Sequence, residues 1–367
     1  MTDILELLDA AGLTGRGGAA FSTAVKVRAA REEGAAVIVN ACDGEIGAAK
    51  DGYVVEHHLA ELVHGAELVA PSRGRKVRYA AHRGSATAST LRRAGLDVLE
   101  TPARYVSSEE TALISLASGG LARPMTKRKP FVYGGRDSDG RAVRPTVVLN
   151  AETVWRVAQV ATHGPAWFRS IGTREEPGPR LVTVTGAVQH PGVLDTEAGT
   201  PIADLLDAAA ADSRAEHLVI GGLGGVLAPV AAARALAWST AELAQFGGSV
   251  GPGIIDVLDP HRCPVAVVDS YLAFAAGESA GQCGPCMFGV PALSAAWADL
   301  LDHRPTPARV EIVRARAGLL PNRGACRFPD GVARFTASAL QTLRPHLNAH
   351  RDGRCPSERT SGVRSRA

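Results

Sequence analysis

Two cysteines stand close together in a turn rich in glycine and proline near the end of the chain. Segment 278–287 reads Glu-Ser-Ala-Gly-Gln-Cys-Gly-Pro-Cys-Met, which places Cys283 and Cys286 two residues apart, and Cys326 follows forty positions later. Such a turn directs both thiolates at one point, and a distant third cysteine can complete the site when the chain folds back. The pattern predicts an iron–sulfur cluster, with a zinc site or a redox dithiol as the alternatives.

A glycine-rich loop at 12–21 leads into a predicted helix over 21–31. Gly15, Gly17 and Gly18 would let the backbone approach a ligand closely, and the N-terminus of the helix that follows favours an anion. The loop precedes the first predicted strand, whereas the usual dinucleotide fingerprint follows a strand. By itself, the loop therefore predicts either a ligand contact or a plain turn.

Pairs of acidic residues stand at the end of a predicted strand and at the start of a predicted helix. Asp43 and Glu45 come directly after a predicted strand over 35–40, at the end of the strand where an open α/β sheet binds its ligands. Carboxylates here can accept hydrogen bonds from a flavin ring, a ribose or a nicotinamide amide, and a solvated acidic turn is the plain alternative. Glu109 and Glu110 stand in the first turn of another predicted helix, where capping alone would also explain them.

The order of the predicted elements divides the 367-residue chain into domains. Strand and helix patterns alternate through residues 1–168, which predicts an α/β domain with a parallel sheet and helices on its faces. A Pro/Gly-rich boundary at 175–179 precedes a β-rich module, 178–245, whose strands and single helix suggest a β-grasp fold. Helical spacing dominates 264–350, and the tail 351–367, rich in Arg, Ser and Gly, is expected to be disordered.

The composition is that of an ordinary soluble globular protein, with 46% hydrophobic and 21% charged residues. A net charge of +3 gives no reason to expect nucleic acid as a partner. The longest uncharged stretch, 218–233, is interrupted by Pro229 and falls short of the ~20 apolar residues of a membrane helix. No secretory signal is recognised, so we expect a cytoplasmic protein whose thiols are reduced. The protein is expected either to be free in the cytoplasm or to lie beside a membrane complex.

Together these motifs resemble the NADH-binding flavoprotein subunit of respiratory complex I and its relatives in NAD-linked hydrogenases and formate dehydrogenases. The cysteine segment matches the family's Glu-Ser-x-Gly-x-Cys-x-Pro-Cys, and 40–51 is similar to its Asn-Ala-Asp-Glu-Gly-Glu-Pro-Gly followed by Lys-Asp-Arg. Segment 105–113 resembles Tyr-x-x-Gly-Glu-Glu-Thr-Ala-Leu, and the glycine loop resembles the family's flavin-and-nucleotide loop. Thr-Gly-x-Val-x-x-Pro-Gly-Val at 185–193 resembles its soluble ligand-binding β-grasp (SLBB) insert.

The resemblance implies a Rossmann-like FMN- and NADH-binding domain, a β-grasp domain and a C-terminal helical bundle that binds a 4Fe–4S cluster. The implied reaction is hydride transfer from NADH to FMN, followed by single-electron passage to the cluster and to a partner, an iron–sulfur protein or another redox subunit. Lys127 is preferred to Lys129 as the nucleotide-contacting lysine. The implied cofactor contacts are Gly15, Gly17, Gly18, Phe21, Lys26, Asn40, Asp43, Glu45, Tyr105, Glu109, Glu110, Lys127, Asn150 and Thr153.

Several positions depart from the family pattern. Ala280 stands where the family has the first cysteine of its triplet, so the fourth cluster ligand is expected from Cys355, from the weaker substitute Cys263, or from water. Substituted positions also support a second hypothesis, a non-catalytic scaffold of the same fold that binds partners and holds at most a structural metal. The other departures are Ala29 for an aromatic residue, Cys42 for an aspartate, Ser108 for a glycine and Leu149 for an asparagine.

Overall fold

Helices and strands alternate through the first part of the chain, as predicted. The computed structural model describes residues 3–71, 77–137 and 139–357. The helices of this part are α1 (Ile4–Ala11), α2 (Thr23–Glu32), α3 (Lys50–His57), α4 (Leu59–Val69), α5 (Ala86–Arg93), α6 (Glu110–Ala117) and α7 (Ala151–Arg169). The strands are β1 (Ala36–Asn40), β2 (Val77–His82), β3 (Val98–Thr101), β4 (Gly135–Arg136), β5 (Ala142–Val143) and β6 (Thr146–Asn150).

Four of these strands form a parallel sheet in the order β3-β2-β1-β6. Their apolar residues are buried by helices, which is why β1 and β6 read as nearly continuous hydrophobic runs. Asn40 at the end of β1 is the register partner of Asn150 at the end of β6. Since parallel strands end at the same edge of a sheet, the loops after β1, β3 and β6 gather along one edge.

A mixed sheet follows in the sequence. Its strands are β7 (Pro179–Gly186), β8 (Gly192–Glu197), β9 (His217–Ile220), β10 (Val226–Pro229) and β11 (Ile254–Val257), in the order β10-β9-β11-β7-β8. Strand β9 is antiparallel to both of its neighbours. The helices between these strands are α8 (Ile202–Ala208), α9 (Val230–Ala233) and α10 (Thr240–Leu243). A β-rich module is therefore confirmed, and its β-grasp class stays a prediction.

Helices make up the rest of the described chain: α11 (Pro264–Glu278), α12 (Val290–Asp302), α13 (Pro307–Gly318), α14 (Phe328–Thr342) and α15 (Arg344–Arg351). A π-helical turn, Pro285–Gly289, leads into α12. Within the described residues, no helix combines the length and apolar character that crossing a membrane requires. Of the tail predicted over 351–367, residues 351–357 are described, with Arg351 at the end of α15, and 358–367 lie outside the described residues.

Two compact units emerge from the packing. The first comprises Met1–Thr183, Val193–Thr200 and Gly251–Gly253, and the second comprises Val184–Gly192, Pro201–Val250 and Ile254–Ala367. The loops at the edge of the parallel sheet belong to the first unit, and the cysteine turn belongs to the second. The predicted domain limits, 1–168, 178–245 and 264–350, stay predictions.

Candidate functional site

The glycine loop lies against the N-terminus of α7. The backbone N–H of Arg16 donates to Thr153 Oγ1 at 2.8 Å, and a Cβ added at Gly17 would lie 3.3 Å from Asn150 Cβ. The loop closes on itself, because the Gly15 N–H donates to the Phe21 carbonyl at 2.8 Å. Gly18 has φ +107°, in the region that favours glycine. The structure thus brings Gly17 to Asn150 and the backbone of Arg16 to Thr153.

Three charged residues predicted from separate motifs interact with one another beside this loop. Lys127 Nζ is 2.8 Å from Glu110 Oε2, and Lys129 is exposed without a partner among the described residues. Lys26 donates its Nζ to the Val148 carbonyl at 3.2 Å. Burial lowers the Lys26 pKa, while the Glu110 carboxylate opposes that shift. This arrangement favours Lys127 over Lys129 as the nucleotide-contacting lysine. Phe21 is 51% exposed, so its ring remains available for stacking.

The acidic loop after β1 touches the loop before α6. Asn40 Nδ2 donates to the Ser108 carbonyl at 2.9 Å, and the Tyr105 hydroxyl donates to Glu45 Oε2 at 2.6 Å. A Cβ at Gly44 would overlap Ser108 Oγ and lie 2.6 Å from Ser108 Cβ. Two motifs separated by about sixty residues therefore form one surface, and Ser108 fits there only because residue 44 is glycine.

Glu109 caps α6, as expected from the interpretation that the paired glutamates serve helix capping. Its Oε2 accepts hydrogen bonds from the Thr111 N–H at 2.8 Å and from the Ala112 N–H at 3.1 Å. Burial raises the pKa of this carboxyl, and the hydrogen bonds from Thr111 and Ala112 oppose that shift. The structure thus gives Glu109 a structural role at the helix start, and its role toward a flavin stays a prediction.

Asp43 has a left-handed backbone, with φ 47°, and its carboxylate closes the acidic loop. The Asp51 N–H donates to Oδ1 at 2.8 Å and the Gly52 N–H donates to Oδ2 at 2.7 Å. Burial, and then the nearby Asp51 carboxylate, raise the Asp43 pKa to about 7. The charge of this loop is therefore expected to change near neutral pH.

This raised pKa gives a testable pH dependence. A carboxyl with a folded-state pKa of about 7 and an unfolded-state pKa of about 4 binds its proton more tightly when folded. Its contribution to stability is therefore lost as pH rises from about 4 to about 7. We expect Asp43→Asn to flatten that fall in the free energy of unfolding, measured by urea titration at several pH values. Asp139→Asn, at an exposed carboxylate, should leave the profile unchanged, and an equal effect of both would contradict the assignment.

A buried ion-pair network beneath the loops is the main feature that the sequence analysis did not identify as a site. Lys50 Nζ lies 2.8 Å from Asn150 Oδ1, 3.0 Å from Glu152 Oε2 and 3.4 Å from Asp51 Oδ1. Glu152 Oε1 also accepts the Leu181 N–H at 2.7 Å. Burial opposes the charge on Lys50, but Glu152 and Asp51 raise its pKa overall. Two signals were available: the resemblance of Lys50-Asp51 to the family's Lys-Asp-Arg, and the scarcity of lysine, since only five of the 40 basic residues are lysines.

Arg16 is a second buried cation that the sequence analysis did not single out. Its Nη2 donates to the Pro177 carbonyl at 2.8 Å, and its guanidinium lies over the Phe168 ring, 5.9 Å from the centroid. Burial, and then the neighbouring Arg180, lower its pKa to about 9. The side chain therefore anchors the glycine loop from its buried side, while the backbone of the loop faces Asn150 and Thr153.

In the second unit, three predicted metal ligands come together. Cys283 precedes the π-helical turn, and its carbonyl accepts the Cys286 N–H at 3.0 Å. Cys286 is buried, whereas Cys283 and Cys326 are partly exposed. Burial raises the Cys286 pKa to about 12, and the adjacent Cys283 and Cys326 thiols contribute to the rise. Crowded thiols favour a bound cation, because a metal ion offsets the repulsion between thiolates.

Cys355 lies beside a different pair of side chains. Its thiol, the Cys263 thiol and a ring nitrogen of His350 all lie within 4.8 Å of one another, and Cys263 Sγ is 3.5 Å from His350 Nε2. Cys286, by contrast, interacts with Cys283 and Cys326. These contacts do not support Cys355 as the fourth ligand of the cluster, and that role stays a prediction.

Two family models match the chain. The Nuo51 FMN-binding domain matches residues 8–159, and the iron–sulfur binding region of NADH-ubiquinone oxidoreductase-F matches residues 266–350. The F 2 subunit of NADH-quinone oxidoreductase from Rhizobium meliloti (strain 1021) is 28% identical over 96% of this chain and 90% of its own length. The corresponding F subunit from Mycobacterium tuberculosis (strain ATCC 25618 / H37Rv) is 26% identical over 96% of this chain and 86% of its own length.

The fold is also similar to a solved structure. A chain in the crystal structure of an NAD+-reducing NiFe-hydrogenase in the H2-reduced state superposes with a TM-score of 0.82 and 28% identity. The similarity covers 94% of the present chain and 62% of the hydrogenase chain. The two matched ranges contain the glycine loop, the acidic loop, the paired glutamates and the cysteine turn described above.

Proposed function

The chain belongs to the family of NADH-binding flavoprotein subunits of the 51 kDa type, and on that premise we propose that it transfers electrons from NADH through FMN and an iron–sulfur cluster to a partner protein. The observation that carries this proposal is the convergence of the glycine loop, Lys26, Glu110 and Lys127 at the edge of the parallel sheet. These residues come from distant motifs, and the electrostatic interaction of Lys26 with Glu110 and Lys127 supports a nucleotide site at this edge.

The residues at this edge fit FMN. An ammonium has three N–H donors, and Lys26 Nζ makes one hydrogen bond to protein among the described residues, so donors remain for a flavin carbonyl or a phosphate. Glycine at position 17 lets the loop pack closely on Asn150 at the N-terminus of α7, where an added Cβ would lie 3.3 Å from Asn150 Cβ. When bound, FMN would supply the conversion between hydride transfer and single-electron transfer.

The protein residues have separate tasks in this proposal. Lys26 would position FMN, and Phe21 would provide an exposed ring for stacking a nucleotide base or nicotinamide. The ion pair between Glu110 and Lys127 would position NADH, with the ammonium balancing its negative charge. Asn150 and Thr153 stand at the N-terminus of α7, where the helix dipole favours the FMN phosphate.

The thiols of Cys283, Cys286 and Cys326 suit an iron–sulfur cluster, because Cys286 interacts with both of the others and soft thiolate ligands select such a centre. They would hold the cluster and conduct electrons out of the protein. Met287 and Phe288, next along the chain, are 50% and 70% exposed. Exposed apolar side chains beside the cluster turn favour docking of another redox subunit.

The test is anaerobic reconstitution with FMN, iron and sulfide, followed by titration with NADH. We expect a yellow protein whose flavin absorbance is bleached by NADH. Lys127→Met should raise the NADH concentration for half-maximal bleaching by about tenfold, which corresponds to the loss of one charged hydrogen bond. Lys129→Met is the matched control and should behave as wild type, while chemical reduction by dithionite should be unchanged in both. Equal NADH responses of the two variants would contradict the assignment of Lys127.

A non-catalytic scaffold is the second candidate function. It is favoured by the cysteine group, in which only three thiols approach one another among the described residues, since a 4Fe–4S cluster normally takes four protein thiolates. The same reconstitution separates the two functions. A colourless protein that retains neither flavin nor iron would support the scaffold, whereas a flavin that NADH bleaches would exclude it.

A further inference from the structure

A second set of soft metal ligands lies in the helical part of the chain. Cys263 directly precedes α11, His350 stands in the last turn of α15, and Cys355 follows that helix by four residues. Their ligand atoms lie within 4.8 Å of one another, and within the described residues this is the one group of three His, Cys, Asp or Glu ligands that meets this distance. None of the three belongs to the group formed by Cys283, Cys286 and Cys326.

The spacing of these atoms matches a small tetrahedral ion. With Zn–S of about 2.3 Å, Zn–N of about 2.0–2.1 Å and a tetrahedral angle, a sulfur and a nitrogen ligand should stand about 3.6 Å apart. The observed separation of Cys263 Sγ from His350 Nε2 is 3.5 Å. Two sulfur ligands should be about 3.8 Å apart, and the 4.8 Å limit of this group leaves at most a small side-chain adjustment.

The donor set and its surroundings also favour zinc. Two thiolates and one imidazole are ligands that Zn²⁺ prefers, and they exclude hard ions such as Ca²⁺ and Mg²⁺, which take oxygen ligands. All three side chains are partly buried. Water can therefore occupy a fourth position, as it does in zinc sites with three protein ligands.

We propose that Cys263, His350 and Cys355 form a zinc site that is separate from the iron–sulfur centre and fastens the end of α15 to the start of α11. His350 and Cys355 follow Cys263 by 87 and 92 residues in the sequence, so the metal would close a long loop within the second unit. Such a link stabilises the folded state because its ligands come together only when the chain is folded. The proposal stands on these contacts and does not depend on FMN or NADH binding.

The test uses the full-length protein, purified with its thiols reduced, and Zn²⁺ itself as the probe. We expect about one zinc per chain by elemental analysis, and Co²⁺ in its place should show thiolate-to-cobalt charge-transfer absorption. Cys263→Ser and Cys355→Ser should lose the metal, and Cys42→Ser, which removes a thiol from the first unit, should retain it. After cluster reconstitution, the iron content of Cys355→Ser should equal that of wild type.

His350→Asn provides an independent measurement if a cysteine variant folds poorly. It should weaken zinc binding by at least about tenfold while preserving both thiols, and it should abolish the rise in Tm that zinc produces in wild type. The proposal is overturned if Cys355→Ser keeps its zinc. It is also overturned if this variant loses its iron, because Cys355 would then be a ligand of the cluster. It is also overturned if the fully reduced protein takes up no zinc, or if Cys263 and Cys355 are joined by a disulfide in the protein isolated from cells.

Discussion

Replacing Lys50 by methionine is expected to lower the free energy of unfolding by about 3–5 kcal/mol at neutral pH, which is the usual effect of leaving one member of a buried ion pair without its partner. Lys50 and Glu152 are 2% and 1% exposed, and Lys50 Nζ lies 3.0 Å from Glu152 Oε2. The methionine fills a similar volume without a charge, so the loss measures the electrostatic contribution. Urea-induced unfolding of the protein without added cofactors provides the measurement.

The pH dependence of this loss follows from Glu152. Burial by itself would raise the Glu152 pKa, but Lys50 and then Arg156 lower it below its usual value. A carboxyl with a lowered pKa contributes stability above its unfolded-state pKa and loses that contribution as pH falls through the folded-state pKa. We therefore expect the difference in stability between wild type and Lys50→Met to narrow as pH falls, and to be smallest below the folded-state pKa of Glu152, where its carboxyl is neutral.

A double variant separates charge from packing. Glu152→Gln removes the carboxylate charge but keeps an oxygen for the Leu181 N–H, which donates to Glu152 Oε1 at 2.7 Å. Lys50→Met combined with Glu152→Gln should therefore recover more than half of the stability lost by Lys50→Met alone. Lys129→Met is the exposed control. A Lys50→Met protein within about 1 kcal/mol of wild type would show that the network is not a buried ion pair in solution.

Gly65→Ala is expected to destabilise the first unit by about 3 kcal/mol, because a side chain there meets backbone. Gly65 lies in α4 where the helix packs on α7, and a Cβ at this position would overlap the Val154 carbonyl oxygen and lie 3.0 Å from its carbon. Backbone cannot rotate away as a side chain can. The α7 segment is also held by fully buried neighbours such as Trp155 and Val157. Urea-induced unfolding with tryptophan fluorescence measures this effect.

The matched control is Gly277→Ala, also within a helix. Gly277 lies in α11, and no heavy atom of the described residues outside its own helix turn lies within 4 Å of an added Cβ. Alanine should stabilise that helix by up to about 1 kcal/mol, because glycine is the weaker helix former. Opposite signs for the two substitutions would confirm the close approach of α4 and α7. A Gly65→Ala protein as stable as wild type would show that the helices can separate without cost.

Features set by neighbouring residues could be predicted from the sequence. The strand expected over 35–40 is observed as Ala36–Asn40, because a short apolar run with β-branched residues suits a buried strand. The helix expected over 21–31 is observed as Thr23–Glu32, with Ser22 rather than the glycine loop as its N-cap. Cys283 and Cys286 lie close together because only two residues of a turn separate them.

Contacts across long sequence separations required the structure. Glu152 pairs with Lys50 across 102 positions, and no local pattern marks either residue as buried. Cys355 could be assigned to any nearby metal group from the sequence alone, and only the end of α15 places it beside Cys263 and His350. The structure was also needed to distinguish the two adjacent glutamates. Glu109 caps α6, whereas Glu110 forms an ion pair with Lys127.

The sequence by itself determined the order of the elements, the family resemblance and the short-range motifs, because periodicity, turn chemistry and residue spacing act over a few residues along the backbone. The tertiary structure alone decided which distant charges neutralise each other in the core and which cysteines lie beside one another. Those pairings depend on how helices and strands pack, and the free energy of a buried charge or a metal ligand depends on the atoms that surround it in space.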